Sequence, residues 1–273
     1  MGDKLQVHAT GIESFARCGV QWSRRYLDGD RRPPSARMLI GTAVDRGHRA
    51  NMQHKLESGE LLPVERVKDE ARDTLVRDWA DGVQLTEEDH EDGTASHDRA
   101  LDMSVGLAGF SHSALAPQLK PTHVARKWVL DIEGMGIQLA GEIDLMEFDY
   151  IRDLKTSGKS PVRTLADESL QLSVYALAVR QIDGVMPENV ALDYLVQTPK
   201  RGDQKLVTLE GRRNESSLGP VLARLDTMNK AIQSGIFIPC EVGHWACSAR
   251  WCSYHSDCRF ACHPVSVAVP EAK

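Results

Sequence analysis

The chain predicts an α/β fold, a mixed β-sheet flanked by helices, with an N-terminal helical region and a C-terminal cysteine-rich segment. Three observations carry that prediction. Helical periodicity runs through most of the first 121 residues. Near Thr122 the pattern changes to strand-like stretches in the order β-β-β-α-β, an antiparallel meander followed by a crossover. Five of the six cysteines then fall within the last 34 residues.

Residues 11–27, GIESFARCGVQWSRRYL, place Ile12, Phe15, Val20, Trp22 and Leu27 at helical spacing. Arg31-Arg32-Pro33-Pro34 breaks that element. A helix restarts over 36–57, passing through Gly41, Asp45 and His48. Residues 63–81 and 95–116 read as two further helices, Pro63 suiting a helix start, with the acidic stretch LTEEDHEDGT as the loop between them. This first part reads as helical throughout. HVARKWVLDI, GIQLAGEIDLMEF and YIRDLKT read as strands, the first two joined by a hairpin turn at Glu133-Gly134-Met135-Gly136. Residues 163–182 return to helical periodicity, NVALDYLVQT and KLVTLE are strands, and 215–234 is a final helix. The expected organisation is a helical region over 1–121, a core over 122–238 and a cysteine-rich segment over 239–273, in a single compact unit.

Apolar residues make up 41% of the chain and charged residues 26%, enough to bury a core and to exclude wholesale disorder. No apolar run approaches the roughly 20 residues of a membrane span. The opening MGDKLQVHATG lacks the apolar stretch of a signal peptide. The expectation is a cytoplasmic protein with no membrane partner. Net charge is −6, but its distribution is uneven. Eight arginines fall between Arg17 and Arg49 against three aspartates, whereas Glu65 to Asp102 holds thirteen acids against five bases. A local surplus of arginine attracts phosphate even on an acidic molecule.

The sharpest feature is GEIDLMEFDYIRDLKTSGKSP. Asp153 and Lys155 are two apart on one strand and so face the same way. A return near Asp149 brings Asp144 beside them. Two clustered carboxylates repel unless a cation lies between them, and hard oxygen donors suit Mg²⁺ or Mn²⁺. Lys155 could orient water and stabilise charge on an attacked phosphate. These are the parts of phosphodiester hydrolysis; the plain alternative is a surface hairpin with an Asp–Lys ion pair. Glu142 lies on the Asp144 face as an optional ligand, and His48 upstream could be a further one. Gln171 and Tyr175, four apart on the following helix, share a face. Clustered cysteines in an intracellular chain read as metal ligands before disulfides.

Taken in order, these residues resemble the RecB-like branch of the PD-(D/E)XK nucleases, and within it the CRISPR-associated and phage-encoded exonucleases that carry an iron–sulfur cluster. FARCGVQWSRRYL resembles the family's N-terminal cysteine segment, GTAVDRGH its histidine helix and GEIDLMEFDYIRDLKT its paired acidic strands. QLSVY resembles its Q-x-x-x-Y helix and CSARWCSYHSDC its C-terminal cysteine cluster. The resemblance implies a restriction-endonuclease-like core. It also implies a metal-dependent DNA exonuclease that hydrolyses phosphodiester bonds at single-stranded or otherwise free DNA ends. His48, Asp144, Asp153 and the backbone carbonyl of Leu154 would then be metal ligands and Lys155 the catalytic lysine. Gln171 and Tyr175 would position DNA or the catalytic strands. Cys18, Cys247, Cys252 and Cys258 would hold a structural [4Fe–4S] cluster. The spacing here is C-x4-C-x5-C where relatives often show C-x2-C-x5-C. A Zn²⁺ site of Cys247, Cys252, Cys258 and Cys262 therefore stands as an alternative, with Cys240 more remote. The alternatives for function are a non-catalytic DNA-end adaptor or a zinc-stabilised endonuclease of the same fold. A homo-oligomer, or a recombination or CRISPR-type protein partner, would accord with the family.

Overall fold

Strand β3 (Ile137–Met146) organises the sheet, because both of its edges carry partners. The computed structural model describes residues 4–85, 94–148, 150–198 and 203–261; most of the acidic stretch expected as a loop, together with Asp149 and Cys262, lies outside the described residues. Along one edge of β3 runs β2 (His123–Asp131), antiparallel, after a turn whose Gly134 has φ 76°. The other edge is shared. β1 (Leu5–Val7) pairs in parallel with Ile137–Leu139, and β4 (Tyr150–Ser157) pairs antiparallel with the far end. β4 continues in parallel with β5 (Asn189–Gln197), which pairs antiparallel with β6 (Gln204–Arg212). Parallel neighbours need a crossover. Here α6 (Leu165–Glu168) and α7 (Leu170–Asp183) supply it.

Helices cover both faces of this mixed sheet. On one face α1 (Ala9–Arg17), α2 (Gly19–Tyr26), α7 and α8 (Gly219–Ser234) enclose Ile12, Trp22, Ile143, Ile151, Leu172 and Leu225. On the other, α3 (Ala36–Ser58) and α5 (Thr94–Phe110) pack Leu39, Val44 and Leu107 against Leu195, and α4 (Val64–Ala80) adds Leu75. α3 and α4 approach closely at Gly47, where a Cβ would stand 2.7 Å from the Val67 carbonyl oxygen. Among the described residues no helix is long and apolar enough to cross a membrane.

The architecture is the expected mixed α/β fold, with local differences. The expectation of an all-helical first part fails at β1, whose three residues are too short to show an alternating pattern. The helix expected over 11–27 breaks at Cys18, which is extended (φ −156°, ψ 97°). There the Cys18 thiol caps α2 by accepting from the Gln21 amide, and the Gly19 amide donates to the Ile238 carbonyl at 2.7 Å. The helix expected over 163–182 is likewise divided at Ser169, whose Oγ accepts from the Leu172 amide at 3.2 Å and starts α7.

Candidate active site

β3 and β4 pair only at Leu145–Arg152 and Met146–Ile151 and then separate. Continued by one step, that register sets Asp144 opposite Asp153, so both side chains emerge where the strands part. Asp144 Oδ2 accepts from the Leu154 amide at 3.2 Å, filling the place of a ladder hydrogen bond. On the opposite edge of β3, Ala125 adopts φ 51° and interrupts the β2 ladder across from Asp144. The acidic strand pair is thus locally distorted on both sides of one carboxylate.

Asp153 is 1% exposed, and Lys155 Nζ lies 2.6 Å from its Oδ2. Neither Asp153 oxygen accepts a well-formed hydrogen bond. Lys155 Nζ donates to Gln171 Oε1 at 2.9 Å, and Gln171 Nε2 donates to Tyr175 Oη at 2.6 Å. α7 therefore holds the lysine through a two-residue relay. The Gln171 and Tyr175 picked out by helical spacing both belong to it.

Burial, then the neighbouring Asp153 and Asp45, raise the Asp144 carboxyl well above the ordinary range. Burial also raises Asp153, against the lowering effect of Lys155. For Lys155 burial works against the charge, yet Asp153 and Asp144 hold the ammonium above its usual value. Burial raises the Tyr175 hydroxyl, as do the same two carboxylates.

Three further residues complete the charge pattern. Arg49 pairs with Glu142 Oε1 at 2.5 Å and with Asp45 Oδ2 at 3.1 Å, so Glu142, the optional ligand, already has a partner. Asp45 in turn has Asp153 among its charged neighbours. Glu13 of α1 has Lys155, Arg17, Arg224 and Asp153 around it. Asp45 and Arg49 are readable as an i,i+4 helix pair. Their link to Glu142 depends on how α3 lies over the sheet, and Glu13 carries no distinguishing signal. His48, one turn from Asp45, is buried; its Nδ1 lies 2.7 Å from Ser111 Oγ. Burial lowers its pKa to about 4, so the imidazole is neutral near pH 7. Neutral imidazole is the ligating form, and a partner on one ring nitrogen fixes the other for coordination.

Among the described residues no three His, Cys, Asp or Glu side chains converge as a ready metal site. The donor chemistry of the carboxylate pair nonetheless fits a hard divalent ion. Two adjacent buried carboxylates share the single Lys155 ammonium, and a divalent ion between them would relieve the burial and repulsion that remain.

The cysteines gather elsewhere. Cys18, Cys240, Cys247, Cys252 and Cys258 carry free thiols and line one cavity of about 20 Å³. Cys240, remote in sequence, belongs to this group. Asp257 binds Arg24 at 2.8 Å and Arg32 at 2.9 Å, and the Tyr254 hydroxyl donates to the Asp30 carbonyl, clasping the segment to α2 and its loop. Trp22 and Tyr254 are 1% and 2% exposed and serve packing, whereas Trp251 is 49% exposed.

A parted antiparallel strand pair bearing Asp144, Asp153 and Lys155, backed by a Gln–Tyr helix, defines a nuclease class of site. The chain matches the model of the PD-(D/E)XK nuclease superfamily over residues 6–259 and belongs to that superfamily. Members usually use divalent metals such as Mg²⁺ or Mn²⁺. The fold is similar to the crystal structure of a protein assigned as an exonuclease from Eubacterium rectale, at 14% identity and a TM-score of 0.54, covering 96% of this chain and 91% of that one. The crystal structure of SSO0001 is 12% identical, covering 96% of this chain and 90% of that one, with a TM-score of 0.40. No curated protein matches the chain.

Proposed function

We propose that this nuclease is a metal-dependent DNA exonuclease acting on single-stranded ends. One observation carries the reading: β3 and β4 part where they hold Asp144 beside Asp153 and Lys155, with the lysine tied to Gln171 and Tyr175. Asp144, Asp153, the Leu154 carbonyl and His48 would hold one Mg²⁺ or Mn²⁺. When bound, such an ion polarises a phosphoryl oxygen and lowers the pKa of its water. Lys155 sets positive charge beside the attacked phosphate, where charge builds in the transition state. Gln171 limits where that ammonium can point, and Tyr175 fixes Gln171. Arg24, Arg32 and Arg49 are held in ion pairs, and the other arginines between 24 and 49 would supply backbone contacts, which carry little sequence information.

The similar Eubacterium rectale structure is assigned as an exonuclease, which favours attack at ends. Digestion of linear and covalently closed circular single strands of the same sequence tests this. Release of nucleotides from the linear form with the circle left intact is expected. Opening of the circle at a comparable rate would make the protein an endonuclease.

We infer a second inorganic centre, a [4Fe–4S] cluster on Cys18, Cys247, Cys252 and Cys258. Thiolates are its natural donors, and five free thiols around one cavity support the reading. Bridging Cys18 to Cys247 closes a long loop and removes entropy from the unfolded chain, so the role would be structural.

A further inference from the structure

We propose that Trp245 and Trp251, exposed on the cysteine-rich segment, form a stacking platform that captures single-stranded DNA and leads it toward the carboxylate site. The proposal rests on the nuclease reading above and assigns the surface that would hold the substrate. Large aromatic side chains left in solvent call for an explanation, and contiguous apolar patches mark interaction sites. Trp245 is 57% exposed and Trp251 49%. The two indoles meet edge to face with centroids 5.5 Å apart at 87°.

Each ring carries its own arginine. Arg17 lies 5.8 Å from the Trp245 centroid and Arg250 5.5 Å from that of Trp251. Two adjoining indoles, each with a guanidinium group against it, match the two components of an unpaired strand, bases with free faces and phosphates between them. A duplex offers phosphates but keeps its bases stacked, so it would leave the rings unused. The platform also has a direction. Arg17 ends α1, and one turn back Glu13 has Arg17, Lys155 and Asp153 among its charged neighbours. A strand seated on Trp245 therefore passes Arg17 on a short route to the carboxylates.

The test uses the full chain in buffer without divalent cations, with a fluorescent oligothymidylate of about 15 nucleotides. A base stacked on an aromatic ring contributes roughly tenfold in affinity. Trp245→Ala with Trp251→Ala is expected to raise Kd for the oligomer at least tenfold, on the same basis. Phenylalanine at both positions should restore most of the binding, and affinity for a blunt duplex should move far less. Saturating oligomer should also quench the tryptophan fluorescence of the unsubstituted protein. An alanine variant that melts with the wild type and keeps its Kd overturns the proposal, as does equal loss on single strand and duplex, or absence of quenching. Neither readout requires cleavage. Tryptophan-dependent binding without metal-dependent nucleotide release would sink the nuclease reading and spare the platform; cleavage with tryptophan-independent binding would sink the platform alone.

Discussion

Burial raises the proton affinity of both Asp144 and Asp153, Asp153 raises that of Asp144 further, and Lys155 offsets only part of that cost. His48 adds a second pH-sensitive term of different sign. Its folded pKa of about 4 lies below the ordinary 6.5 because the ring is buried. A depressed folded pKa means the unfolded chain takes the proton first, so stability is fully present above about pH 6.5 and is lost as pH falls toward 4. The full loss is on the order of 3 kcal/mol. Urea unfolding of metal-free protein across this range should show a decline that His48→Gln largely removes; an unchanged decline in that variant would place the acid sensitivity elsewhere. Asp153 and Lys155 are legible in the sequence because strand alternation puts residues two apart on one face. Gln171 and Tyr175 are legible because four residues return to one helical face. Asp45, Arg49 and Glu142 become a triad only through the placement of α3 over β3, which no local spacing encodes.

Elements with strong period were the readable ones. α3, α4 and the hairpin of β2 and β3 show their pattern over many residues, and the structure has them within a residue or two of the expected bounds. β1 was not readable, since three residues acquire their meaning from a parallel partner that begins at Ile137. The break at Cys18 has the same cause: the Ile238 carbonyl meets the Gly19 amide, and a Cβ at Gly19 would stand 2.9 Å from the Ile238 nitrogen. This tight junction brings Cys18 to the C-terminal cysteines. If the cavity holds an iron–sulfur cluster, protein purified without oxygen should be brown, carry about four irons per chain and bleach with dithionite. Colourless protein with stoichiometric zinc would replace the cluster by a zinc site, drawing on Cys258 and the neighbouring thiols.

At the scale of the whole molecule, the sheet divides the labour. One face, under α3 to α5, brings Asp45 and Arg49 to the carboxylate pair, and the other, under α1 and α7, brings Glu13, Gln171 and Tyr175. The described part of the cysteine segment lies beside α2, held there by Asp257, Tyr254 and the Gly19 junction. The fold class was legible from the order of periods alone, because that order already implies one sheet with crossovers. The clasp was legible only as a count of cysteines, since its hydrogen bonds and ion pairs join residues more than 200 positions apart. The central claim is that the Asp144–Asp153 pair serves metal-dependent phosphodiester hydrolysis. The direct measurement is nucleotide release from labelled linear single-stranded DNA with Mg²⁺ or Mn²⁺, by wild type and Asp153→Asn side by side. Release by the wild type, abolished by chelator and reduced at least a hundredfold in Asp153→Asn, is expected for loss of a group acting on transition-state charge. Equal release by both proteins, or none from folded wild type with either metal, would contradict it.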